Sequence, residues 1–454
     1  MSKRYPGGFV TKSPVAPTTS AASGVWTLEQ ATQYIKAGTW PSQPGPFWIG
    51  LLRSSTSDLG NAVAVDSSGN VYVCGFSSVT GTTDIILVKY NSSGIIQWQK
   101  SLGGGNTNQG NSVTVDSSGN IYVCGVSNTA TGTYQFQIAK YDTSGTIQWQ
   151  RRLGDGSVKY GWSVAVDSSG NVYVGGYGDA TGTEAMFIAK YNTSGAIQWQ
   201  RIIADSTYSD IGWAVATDSS GNVYFCGFSD AATGVPGVYN LVIAKYNTSG
   251  TIQWQRSLGS IDGQNGRSVA VDSSGNVYVC GASGNNILIA KYNTSGTIQW
   301  QRIIGSGSGA YGNSVAVDSS GNVYGLGTNG ANLQIAKYNT SGTIQWQRSL
   351  SSSGFNVGYS IASDVSGNIY VCGYSTVSGN NDFLFAKLPA DGSLTNTYSV
   401  GGYSFTYAAS SLTAATSTLT DAVSSLTSAV SSLTAATSTL TSATSTLTSS
   451  VTTL

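Results

Sequence analysis

The sequence predicts an all-β fold: a seven-bladed β-propeller with four antiparallel strands per blade, an N-terminal arm and a heptad-patterned tail. Three observations carry this reading. Asp-Ser-Ser-Gly-Asn or a close variant recurs seven times, led by Asp66, Asp116, Asp167, Asp218, Asp272, Asp318 and Asp364, at spacings of 50, 51, 51, 54, 46 and 46 residues. Each copy contains four short runs of period-two alternation separated by turn chemistry. Helical periodicity is missing throughout the repeated region. Four short strands in roughly 40–50 residues describe a propeller blade.

The second copy shows the plan. Ser112-Val-Thr-Val115 is the first strand, and Asn120-Ile-Tyr-Val-Cys-Gly125 the second. Asp116-Ser-Ser-Gly119 joins them, because Asp can bond its own backbone and Gly tolerates positive φ. Gln135 to Tyr141 is the third strand, Asp142-Thr-Ser-Gly145 the next turn, and Thr146 to Arg151 the fourth strand. A Lys marks every third strand: Lys89, Lys140, Lys190, Lys245, Lys291, Lys337 and Lys387. Gln-Trp-Gln marks the fourth strand six times, at Trp98, Trp149, Trp199, Trp254, Trp300 and Trp346. The seventh copy is missing from its usual place. Phe47 to Leu52, with Trp48 in the Trp position, is the favoured strand to complete the last blade. It would join both ends of the repeat region in one sheet and remove an exposed edge. The degenerate Leu394 to Val400 is the alternative.

Val269-Ala-Val-Asp-Ser-Ser-Gly-Asn-Val-Tyr-Val-Cys-Gly281 is the clearest copy of the motif. On it, residues 47–400 resemble the seven-bladed β-propeller repeat family of bacteria and their viruses. The resemblance implies the fold and says little of function, since propellers host many activities.

Composition narrows the function. The 454 residues include 58 Gly, 8 Pro and no His, and charged residues make up 9% against about 25% in an average soluble protein. Lys+Arg and Asp+Glu are 21 each. Zero net charge argues against nucleic-acid capture, which needs a local positive excess. No apolar run approaches the ~20 residues of a membrane span, and the first residues lack the apolar core of a secretory signal. Without His the chain lacks the commonest general base and metal ligand. No Ser/His or Cys/His pair and no phosphate loop emerges, and Glu occurs only as Glu29 and Glu184. We therefore expect no enzyme, no cofactor and no metal, but a structural or surface-recognition protein. A polysaccharide-degrading enzyme would have to pair loop aspartates such as Asp58, Asp84, Asp210 or Asp382.

The repeated residues read as structural. Cys74, Cys124, Cys226, Cys280 and Cys372 all sit eight residues after the repeat Asp, where the other two copies have Gly175 and Leu326. That interchange marks a packing position, and equivalent positions around a ring lie beyond disulfide reach. One Asp per turn suits a hairpin better than a calcium loop. The Asn-x-Ser sequons at Asn91, Asn192, Asn247, Asn293 and Asn339 fall in predicted turns. Non-repeated aromatics are the recognition candidates: Tyr134, Tyr160, Tyr208, Tyr239, Tyr311 and Phe355. Trp162, Trp213 and Tyr359 belong to the same set, the two Trp reading rather as blade packing.

The flanks differ. In the arm, residues 1–46, Thr27-Leu-Glu-Gln30 forms a capping box for a short helix over 27–37, with Ala31, Tyr34 and Ile35 on one face. Gly24-Val-Trp-Thr-Leu28 and Gly38-Thr-Trp-Pro41 resemble the N-terminal motif of marine bacteriophage virion and tail-fibre proteins. That likeness implies docking on other virion or tail proteins through Trp26, Leu28, Ile35 and Trp40. In the tail, residues 401–454, Leu recurs every seven from Leu412 through Leu419, Leu426, Leu433, Leu440 and Leu447 to Leu454. Thr416, Val423, Val430, Thr437, Thr444 and Val451 follow at plus four, so the pattern predicts an α-helical coiled coil. A disordered Ser/Thr linker is the alternative reading of this tail. The predicted seam is Leu412, Leu419, Val423, Leu426, Val430, Leu433, Leu440, Leu447 and Val451. It permits a dimer, and the fibre resemblance implies a trimer. The expectation is a homo-oligomeric virion fibre or spike protein on the particle surface, displaying the propeller to a host glycan or protein. A bacterial cell-surface or secreted binding module is the alternative.

Overall fold

The repeat Asp builds its turn by accepting four hydrogen bonds. Asp66 Oδ1 accepts the backbone N–H of Ser68 and of Asn70, each at 2.9 Å. Its Oδ2 accepts Asn70 Nδ2 at 2.8 Å and the Tyr72 hydroxyl at 3.0 Å. The same set recurs at the other six repeat aspartates, for example at Asp364 with Asn368 and Tyr370. The motif is a side-chain-locked hairpin whose Tyr, buried in every blade, carries the lock into the core.

This computed structural model describes residues 47–78, 82–103, 106–128, 132–154, 157–179, 183–204, 209–230, 237–259, 263–305, 309–417, 419–422, 427–430, 434–437, 441–444 and 448–453. The seven hairpin pairs make seven antiparallel sheets. Blade 1 runs through Asp58–Val65, Val71–Ser77, Asp84–Tyr90 and Ile96–Gly103. Blades 2 to 6 repeat the order, ending at Gly154, Ala204, Gly259, Gly305 and Ser351. Blade 7 has Asn356–Ser363, Ile369–Ser375 and Asp382–Leu388, and takes Trp48–Arg53 as its fourth strand, with Trp48 opposite Lys387. The favoured ring closure therefore holds. The alternative segment, Asn396–Val400, lies elsewhere: it pairs with Tyr403–Ala409, which is fixed to blade 6.

Neighbouring blades meet through one repeated joint. The indole N–H of Trp98, Trp149, Trp199, Trp254, Trp300 and Trp346 donates to a turn carbonyl of the next blade at 3.0–3.3 Å. Trp48 makes the seventh joint, to Ser92 O of blade 1 at 3.3 Å. The turn Gly lies flat on the same indole. At Gly250, φ is 76° and a Cβ would stand 2.7 Å from Trp199 Cδ2, so only glycine fits. Arg201 Nε donates to Gly250 O at 2.7 Å and its guanidinium stacks on Trp199. The evenly spread cations thus act as joints.

The five Cys are free and buried, as the packing reading requires. Burial pushes their thiols up in pKa.

The tail departs from expectation. Its described residues contain no helix; Thr413–Thr416, Thr420–Ala422, Thr427–Val430, Thr434–Thr437, Thr441–Thr444 and Thr448–Thr453 are strands. Each adds a fifth strand to a blade, antiparallel to the fourth, on blades 5, 4, 3, 2, 1 and 7 in that order. The seven-residue period is thus the step from one blade to the next, and the chain runs back around the ring as a belt. Leu412 is buried between Ile287, Ile304, Ile335 and Ala336, and Leu419 packs on the core shared by blades 4 and 5. Gln347 and Gln301 of the Gln-Trp-Gln strands donate to the carbonyls of Leu412 and Leu419 at 3.2 and 2.9 Å. Val430 and Val451 pair through their backbones with Arg201 and Gly50. Val423, Leu426, Leu433, Leu440, Leu447 and Leu454 lie outside the described residues, as do the arm, its helix over 27–37, and Trp26, Leu28, Ile35 and Trp40. Two physical terms favour the belt. Ser and Thr are weak helix formers and Thr suits a strand, while the unpaired edge of each fourth strand is a template for pairing.

Three outcomes test this architecture. Gly250→Ala should destabilise the protein by about 1–3 kcal/mol in chemical denaturation, through backbone strain and the clash with Trp199. Leu412→Ala should cost about 2 kcal/mol. Removing residues 410–454 should lower strand content, and not helix content, in far-UV circular dichroism.

Candidate functional site

In every blade the first strand carries a bulge. Pairing with the second strand skips one residue, between Gly60 and Ala62, Gly110 and Ser112, Gly161 and Ser163, Gly212 and Ala214, Gly266 and Ser268, Gly312 and Ser314, and Gly358 and Ser360. The skipped residues are Asn61, Asn111, Trp162, Trp213, Arg267, Asn313 and Tyr359. A bulge re-aims its side chain away from the ladder. All seven line a cavity of about 340 Å³, with Leu59, Phe76 and Gln109. Its bulge residues lie near the start of each first strand, the end away from the Asp turn.

The pocket has two unlike halves. Around blades 6, 7, 1 and 2, amides tie blade to blade: Asn313 Nδ2 donates to Gly358 O, Asn61 Nδ2 to Gly110 O and Asn111 Nδ2 to Gly161 O, at 2.8, 2.9 and 2.8 Å. Around blades 3 to 6, planar groups form a wall. Trp162 and Trp213 have ring centroids 4.3 Å apart, and the Arg267 guanidinium lies 5.3 Å from the Trp213 ring and 5.9 Å from that of Tyr311. Arg267 Nη1 donates to Asn313 Oδ1 at 3.1 Å. Burial lowers the Arg267 pKa, and burial raises the Tyr359 hydroxyl to about 12 with Tyr374 and Tyr311 adding to it, so the phenol is neutral at ordinary pH.

The wall extends outward. Trp162 stacks with Tyr177 at 6.4 Å, Tyr177 contacts Tyr160 at 5.2 Å, and Tyr160 stacks on Tyr134 at 5.6 Å. Three recognition candidates, Tyr134, Tyr160 and Tyr311, thus join one run of rings from rim to pocket. Tyr239 packs instead edge-on against Phe228 at 4.8 Å. Phe355 is 56% exposed, apart from the pocket lining. Tyr208 lies outside the described residues. Trp162 and Trp213, read as packing from sequence, are pocket walls. Asn61, Asn111, Arg267 and Asn313 escaped that reading. Their signal was a position five residues before each repeat Asp that varies while its neighbours repeat.

Among the described residues no group of three or more His, Cys, Asp or Glu could hold a metal ion. Among the described residues, the strand ends away from the Asp turns hold buried carboxyls at Asp58, Asp210, Asp230 and Asp382. Burial raises Asp58 against hydrogen bonds from Ser77 and Ser54. Burial also raises Asp382, with Asp58 adding to it and Ser378 and Arg53 opposing. Neither lines the axial pocket.

The chain is a seven-bladed β-propeller built of recurring propeller repeats. A family model described as Beta-propeller repeat matches residues 97–130, 148–182 and 253–289. A second, a domain of unknown function described as a beta-propeller, matches residues 366–398. No curated protein matches the chain. Among solved structures it is similar to Sqt1 from Chaetomium thermophilum, with 13% identity, coverage of 78% of this chain and 97% of that one, and a TM-score of 0.39. It is also similar to the polysaccharide lyase Uly1, with 9% identity, 73% and 90% coverage and a TM-score of 0.45. XC5397 from Xanthomonas campestris, a gluconolactonase, has 11% identity, 60% and 90% coverage and a TM-score of 0.35.

The carboxyl at Asp58 gives a pH prediction. With its native pKa raised, the folded protein keeps a proton that the unfolded chain has lost. Stability therefore falls as pH rises from the ordinary value of 3.8 through the native value. Asp58→Asn removes that dependence, and blades 2 and 7 carry Asn108 and Asn356 at the same position. Melting of the two proteins should show the variant gaining on the wild type as pH rises above about 4, and no gain at pH 3.

Proposed function

We propose that this protein is a non-enzymatic surface-recognition protein that binds carbohydrate in the axial pocket, with the variable loops around it as a second rim of contacts. One observation carries the reading: seven bulge residues, one per blade, converge on a single cavity walled by aromatic rings on one side and amides on the other. Sugars offer both an apolar ring face and a fringe of hydroxyls, which such a pair of walls matches. Binding is favoured over cleavage because the described lining residues include no carboxylate.

The virion setting rests on a different observation, the Gly-Val-Trp-Thr-Leu and Gly-Thr-Trp-Pro motifs of the arm. Trp26, Leu28, Ile35 and Trp40 form an apolar set too small to fold alone, and burying each against another virion protein would contribute roughly 1.5–3 kcal/mol. The arm then docks on the particle, and the propeller meets the host surface as part of a tail fibre or spike. A homotrimer is the assembly the fibre resemblance implies. The proposal draws nothing from the heptads, whose described strands pair with the blades.

Calorimetric titration with host-surface polysaccharide tests the reading. The full chain and a form starting at Phe47 should bind alike, and Trp213→Leu should weaken both about tenfold. With zero net charge, association should depend little on salt. Binding that survives Trp213→Leu unchanged, or that releases reducing ends from the polysaccharide, would overturn it.

A further inference from the structure

The axial pocket contains a charge with no counter-ion. Among its described lining residues, Arg267 is the only charged one. Its guanidinium has one protein acceptor, Asn313 Oδ1, while its Nε is buried without a protein partner. Trp213 Nε1, beside it, is likewise buried and unpartnered. A desolvated cation with free donors is costly to keep. Its position does not demand it, since the same bulge carries Asn in blades 1, 2 and 6. The cost is offset if a ligand supplies the missing anion.

We infer that the pocket takes an acidic sugar residue whose carboxylate pairs with Arg267. This rests on the carbohydrate reading above and adds the ligand's charge to it. The planar carboxylate matches the planar guanidinium and would meet it at the Nη donors, Arg267 Nε and Trp213 Nε1 being buried behind the cavity surface. The sugar ring lies on the Trp162–Trp213 wall. Its hydroxyls face Asn61, Asn111 and Gln109 on the opposite side.

The test is calorimetric titration of the full chain with three trisaccharides: a galacturonate trimer, a neutral galactose trimer and a sulfated neutral trimer. The galacturonate trimer should bind about 10- to 100-fold more tightly than the neutral one. Arg267→Asn, which installs the residue found in three other blades, should erase that preference, bringing the acidic and neutral trimers to within about twofold of each other while the variant still melts cooperatively. Arg267→Lys should retain part of it, because it keeps the charge and loses the fork. Equal binding of acidic and neutral trimers, or a preference that survives Arg267→Asn, would overturn the acidic-sugar assignment and leave the carbohydrate reading standing. Tighter binding of the sulfated trimer would overturn the carboxylate. Failure of all three sugars to bind the wild-type protein would overturn both readings.

Discussion

The stacking of a tryptophan on the glycine turn of the next blade is the constraint from which the rest of the ring follows. One indole supplies a flat apolar face and one N–H, and the turn offers a flat backbone and one carbonyl. The contact has a single geometry, so its repetition fixes both the distance and the angle between blades. Seven copies close the circle only because Trp48, about 300 residues before the last repeat in sequence, makes the same contact as the others. A propeller with so few charges has little electrostatics to orient its blades. Planar stacking and backbone hydrogen bonds do that work instead, with Arg151, Arg201, Arg256, Arg302 and Arg348 serving through their flat guanidinium groups.

Such uniformity raises the question of how a repeat acquires a unique site. The bulge in the first strand answers it. The residue it frees is bound neither to the ladder nor to the joint, so it can change without disturbing either. Seven freed positions face one axis. Asn at all seven would have given a symmetric ring of amides; Trp162, Trp213, Arg267 and Tyr359 break the symmetry and give the pocket a front and a back. The serine after the bulge secures this arrangement: Ser163 Oγ accepts Val215 N at 3.0 Å, and Ser314 Oγ accepts Ile361 N at 3.2 Å, each across to the next blade.

Much of this was legible in the chain itself. The Asp-Ser-Ser-Gly turns, the blade count and the role of Trp48 followed from spacing and from matching one repeat to another. The buried thiols followed from the interchange of Cys with Gly175 and Leu326. The tail did not, because a period of seven has two physical causes. Two turns of a helix span about seven residues, and so does one step of a strand-and-crossing around this ring. Periodicity alone cannot tell them apart; the partner edge, which exists only after the blades have folded, decides. The pocket was half visible. Trp162, Trp213 and Tyr359 stood out as aromatic, while the asparagines and Arg267 looked like ordinary polar variation because what singles them out is a skipped pairing.

The belt also determines how the molecule answers a pull. Its last strand lies against Trp48–Arg53 with Trp48 opposite Thr453 and Arg53 opposite Thr448. Whatever precedes Trp48 and whatever follows Thr453 therefore leave the sheet at the same end of one strand pair. A load applied between those two points opens the pair bond by bond, like a zip, rather than shearing all its hydrogen bonds at once. Once it gives, the next holding strand is on blade 1, then blade 2, and so on around the ring. The protein would yield in small successive steps, each releasing about seven residues of slack, while the inner strands and the pocket they carry are still closed.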